Sequence, residues 1–112
     1  MTSDPPRSVL AQGEQALRAL DKVLQDEPVK VGPDFSAAIA ELTALRERMI
    51  GRLRQAGSDP GDVPELERLN GVLTVVISGH YPLGQVPWPM VESGREALAA
   101  LLPDLQGNPL FA

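Results

Sequence analysis

The chain has 112 residues, the size of one domain, with 15 acidic against 10 basic side chains for a net charge of −5. It has no Cys, which excludes thiol nucleophiles, thiolate metal sites and a disulfide scaffold. The acidic balance works against nucleic acid, whose binders gather phosphates with a positive field. The apolar stretch Val72 to Ile77, with one Thr in it, falls far short of the roughly 20 residues that cross a bilayer.

Aromatic residues make up 4% of the chain, so the core has to be built from Leu, Val, Ile and Ala, which favours helix on helix. Met1-Thr2-Ser3-Asp4-Pro5-Pro6 has no apolar segment behind a basic start. No secretory leader is expected, and a cytoplasmic location is the expectation.

Asp4 can cap a helix and Pro is tolerated in a first turn, so Ser3 to Pro6 reads as a helix entrance. Leu10, Leu17, Leu20 and Leu24 follow at helical spacing, with Ala16 and Val23 beside them and Gly13 filling the one gap. Pro28 pushes its predecessor out of the helical region. A first helix over about residues 5–26 follows.

Val29 to Pro33 connects it to a second helix over about 34–56, capped by Asp34. Its stripe is Ala38, Ile39, Leu42, Leu45, Met49, Leu53 and Ala56, the best periodic segment of the chain. Gly57 takes a left-handed conformation without a Cβ penalty and is the expected stop. The two helices form a long helical hairpin.

Ser58 to Gly61 is a turn by its chemistry. Asp62 and Glu65 have the spacing of a capping box, with Pro64 in the first turn. Val72-Leu73-Thr74-Val75-Val76-Ile77 is rich in β-branched residues, which favour strands. Yet Leu66, Leu69, Val72, Leu73, Val76 and Ile77 step by three and four and fall within about 140° of arc at helical winding. A lone strand would also lack a partner anywhere in the chain. This segment is therefore a third helix, about 63–79.

The proline-punctuated loop 79–89 re-aims the chain and carries the only His, Tyr and Trp. Pro89 opens a fourth helix with Val91, Gly94, Leu98, Leu101 and Leu102 on its apolar face, and Pro103 ends it near 102. Leu105, Leu110 and Phe111 fold the tail 103–112 back on the bundle. The predicted fold is all-α, a single domain formed by a small bundle of four helices.

Candidate functional residues lie in three places. Gly71, Thr74 and Ser78 make a narrow small-residue face on the third helix, suited first to close packing within the monomer and second to a subunit interface. Arg46, Arg48, Arg52 and Arg54 with Glu47 carry a local charge of 4 − 1 = +3. Arg48 and Arg52 share a face that reads as a solvated surface, or as a dock for an acidic partner. His80, Tyr81 and Trp88 sit in the loop, either as a lid on the bundle end or as an interface anchor.

Chemistry has less support. His80 lacks a second His or any Cys to complete a zinc site, and Asp59 to Asp62 is too short for a calcium loop. Ser78 has no Gly-x-Ser-x-Gly elbow around it, and no Gly-rich loop joins a strand to a helix. The residues predict no catalytic group, no metal and no cofactor.

The expected function is a non-enzymatic protein–protein interaction module such as an adaptor, chaperone-like or regulatory subunit. It works with a protein partner or with itself as a homodimer, and with neither nucleic acid nor membrane. The alternative is a small-molecule binder with an apolar pocket under the 79–89 loop.

Overall fold

The computed structural model describes residues 8–25, 33–59, 61, 63–80 and 88–111, with the backbone alone at 33, 34, 79 and 80. Four helices follow one another, α1 Val9–Gln25, α2 Pro33–Gln55, α3 Pro64–His80 and α4 Trp88–Gly107, with no strand among the described residues. Each packs on its sequence neighbours, and α4 closes the ring against α1.

Side-chain pairs fix the directions. Gln12 meets Arg48 while Lys22 lies across from Ala37, Gly13 lies against Leu102 while Asp21 meets Arg95, and Arg68 meets Asp104 while Val75 lies against Gly94. Low numbers on one helix thus face high numbers on the next, and the bundle runs up-down-up-down.

Local chemistry accounts for the helix ends. Ser8 Oγ accepts from the Ala11 amide at 3.1 Å, which makes Ser8 the cap of α1. The entrance expected at Ser3 to Pro6 lies outside the described residues. At the end of α2 the Ser58 amide donates to the Leu53 carbonyl at 2.9 Å, and the Gly57 amide to Arg54 at 3.1 Å. With Gly57 at φ 72°, this is a Schellman cap, as its glycine predicts. An added Cβ there meets nothing within 4 Å, so Gly57→Ala should cost only the left-handed backbone penalty, about 1 kcal/mol, read from urea unfolding midpoints.

The core runs the length of the bundle through Leu20, Leu42, Leu45, Met49, Leu53, Leu69, Leu98, Leu101 and Leu105, all buried. The β-branched run does fold as helix α3, because its three- and four-residue steps turn Val72 and Val76 inward with Leu66, Leu69 and Leu73. In α1 the buried stripe is rotated from the expected one. Val9, Gln12, Gly13, Ala16, Leu20 and Val23 are buried, whereas Leu10, Leu17 and Leu24 are only part-buried at its edge.

Pro103 does not end α4, which continues to Gly107. An interior Pro costs about 3 kcal/mol through a lost hydrogen bond and a clash with the carbonyl four residues back. Here Pro103 is exposed, and the extra turn buries Leu105 completely while delivering Phe111 to 2% exposure. Burying two such side chains contributes about 1.5–3 kcal/mol each, enough to offset the proline. Asn108 holds the tail in place. Its side-chain oxygen accepts from the Leu110 amide at 3.0 Å and its amide donates to Glu65 at 3.3 Å.

Candidate functional site

The small-residue face of α3 points to solvent. Gly71, Thr74 and Ser78 are all exposed, an added Cβ at Gly71 meets nothing within 4 Å, and the Thr74 hydroxyl donates to the Asn70 carbonyl of its own helix at 2.9 Å. The expectation that this face serves close packing within the monomer is therefore corrected. Close approach occurs at two other glycines. A Cβ at Gly94 would lie 3.4 Å from Val75 Cγ1, and one at Gly13 would lie 2.5 Å from Leu102 Cδ2.

What borders Gly71 is an apolar groove of about 280 Å³ between α3 and α4, lined by Val72, Val75, Ser93, Gly94 and Ala97, with Arg68 at one end. Arg68 Nη1 donates to Asp104 Oδ2 at 2.6 Å, closing that end with an exposed ion pair. On α4, Met90 falls on the same helical stripe as Ser93, Gly94 and Ala97 and is 53% exposed. The outer strip Gly71, Thr74, Ser78, Met90, Ser93, Ala97 and Ala100 is exposed and carries no charge.

The other predicted residues do not join this strip. Trp88 is the first residue of α4 and is half-buried. Its ring tilts 36° onto Phe35 with centroids 5.8 Å apart, so it packs on the first turn of α2. The His80 side chain and Tyr81 lie outside the described residues, as does most of the loop expected to roof a small-molecule pocket.

The Arg group is divided among neighbours. Arg46 donates to Asn70 of α3 at 2.9 Å, Arg48 to Gln12 of α1 at 3.4 Å, and Arg52 and Arg54 are exposed near the end of α2. Arg48 reaches the seam between α1 and α2, one turn before the exposed Arg52 on the same helix face.

Two features were not singled out in the sequence. Gln12 is a buried polar side chain at 2% exposure, and its signal is a place on the α1 stripe three residues after Val9 and four before Ala16. The groove had no such signal, because Val75 and Ala97 become its walls only once α3 and α4 lie side by side.

Where α4 meets α1, Arg95 Nε donates to Asp21 at 2.7 Å and Nη1 to Glu96 at 2.9 Å. The hydrogen bond to Asp21 chiefly raises the Arg95 pKa, against the opposing effect of burial. A raised basic pKa adds stability that is present below the ordinary arginine value and lost only above it. Arg95 titration therefore leaves stability flat from about pH 5 to 9.

Among the described residues, no group of three or more His, Asp or Glu is placed to hold a metal ion, and no helix is long and apolar enough to cross a membrane. Fold and surface define the class, a small all-α up-down-up-down bundle with an exposed strip of small and apolar residues on α3 and α4, bordered by Glu67, Arg68, Glu92, Glu96 and Asp104. No protein-family model, curated protein or solved structure matches the chain.

Proposed function

We propose that this chain is a non-enzymatic protein–protein interaction module that pairs with a second copy of itself through the outer face of α3 and α4. The observation that carries this reading is the uncharged strip from Gly71 to Ala100, in a protein with 22% charged residues. A protruding Met90 and an apolar groove lie on the same strip. A two-fold pair uses both twice, each copy's methionine seating in the other's recess.

Size supports the same arrangement. Two adjacent helices of α3's length present a face of about 25 by 20 Å, so a pair buries on the order of 1,000 Å² in total. That is the lower end for a specific interface and corresponds to a weak, reversible dimer.

Sedimentation velocity over a wide concentration range tests the proposal. A reversible monomer–dimer equilibrium is expected, and it should tighten as salt rises. Two chains of −5 repel one another, salt screens that repulsion, and the uncharged contact itself is insensitive to it. A chain that stays monomeric at about 1 mM would overturn the reading. Dimerisation that weakens with salt would point instead to charged surfaces such as the Arg52 and Arg54 end of α2.

A further inference from the structure

We infer that Gln12, held between Glu41 and Arg48, fixes the register in which α1 pairs with α2, a device independent of whether the α3–α4 face self-associates. The Gln12 side chain is 2% exposed in an otherwise apolar stripe. Its Nε2 donates to the Glu41 carboxylate at 2.6 Å and to the Glu41 backbone carbonyl at 3.2 Å, while its Oε1 accepts from Arg48 Nε at 3.4 Å. The amide thus presents donors to an anion and its acceptor to a cation. Turned over, it would present oxygen to carboxylate and NH₂ to guanidinium, so only one orientation fits.

Glu41 and Arg48 are seven residues apart, two turns on one face of α2, and Gln12 reaches both. Among the apolar neighbours only Gly13 resists a slip, because Val9 or Leu17 would take its place against Leu102. Ala16, Leu20 and Val23 repeat at three and four residues, and α2 offers Ala38, Leu42, Leu45 and Met49 at the same period, so a one-turn slip would bury a similar stripe. It would not satisfy Gln12. A slip one way sets the amide between Ala37 and Ala44, level with Glu41 but two turns from Arg48, so its oxygen loses the guanidinium. A slip the other way sets it between Leu45 and Arg52, leaving its N–H groups facing a leucine. Val9 or Ala16 would meanwhile lie between Glu41 and Arg48. A buried polar group with one fitting position selects that position at some expense in stability.

The test is Gln12→Leu, followed by melting temperature and two-dimensional ¹⁵N NMR of the full chain. The expected result is a melting temperature equal to or above that of the native protein, with doubled or broadened amide peaks confined to α1 and α2. A single sharp set of peaks with native α1–α2 contacts would overturn the inference. In a second variant, Gln12→Glu places a carboxylate against Glu41, and the melting temperature should fall by about 10 °C. Adding Glu41→Gln exchanges donor and acceptor and should restore at least half of that fall, the remainder being repulsion from the Glu41 carbonyl. No restoration in the double variant would likewise overturn the inference.

Discussion

Gly13→Val is expected to lower stability by about 2 kcal/mol, because the interior at that point has no room for a side chain. Gly13 is buried where three helices converge. An added Cβ would sit 2.5 Å from Leu102 Cδ2 of α4 and 3.8 Å from Leu45 Cδ1 of α2. The Leu102 methyl can rotate away from a lone Cβ, but the γ carbons of valine need the space it would move into. Helix propensity acts the other way and recovers only a few tenths of a kcal/mol, since valine is a slightly better helix former than glycine. Leu102→Ala alone should cost about 2–4 kcal/mol for the cavity it leaves. The double variant tests the geometry itself, because the introduced valine side chain would partly fill that cavity. Chemical denaturation of the four proteins should show a favourable coupling of at least about 1 kcal/mol. Additive losses would mean that Gly13 and Leu102 do not meet.

Ala97→Glu is expected to weaken the proposed dimer at least about 100-fold while leaving the monomer folded, as like charges facing one another across a contact cost several kcal/mol. Ala97 is exposed in the monomer and walls the groove, so the new carboxylate costs the isolated bundle little. In a two-fold pair centred near this position, two such carboxylates would meet across the uncharged middle of the strip, away from the Arg68–Asp104 pair at its end. Ser36→Glu on α2 adds the same charge away from the strip and separates local repulsion from the general effect of a more acidic chain. It should change the dissociation constant by no more than a few-fold. If both variants dimerise like the native chain, association uses another face. If both weaken it equally, the effect belongs to net charge and the α3–α4 strip loses its support.

Several parts of the fold are legible in the residues because their causes are local. Gly57 stops α2 through a backbone conformation that only glycine adopts cheaply, and its neighbours complete the cap with their own amides. Helix α3 is helical despite its β-branched run, because the period of its leucines and valines states which face is wet. Val91, Gly94, Leu98, Leu101 and Leu102 line the inner face of α4 for the same reason.

The misreadings all depend on a second element. Leu10, Leu17 and Leu24 look like the centre of the α1 stripe, yet Val9, Gln12 and Ala16 are deeper, because α2 and α4 both press on that side. Pro103 reads as a stop until the burial of Leu105 and Phe111 is set against its cost. Gly71 and Gly13 are the same residue type at helix-interior positions, and only the neighbouring helices decide that Gly13 sits against a leucine while Gly71 faces water.

Four helices in a row, their approximate ends and most of their inward faces follow from the order of the residues, because hydrophobic period and capping chemistry act within one or two turns. The candidate site does not follow from it. The groove needs Val75 and Ala97 from different helices, and Gln12 needs Glu41 and Arg48 from across the seam. Such juxtapositions are set by how helices cross and rotate against one another, which no single helix's pattern records.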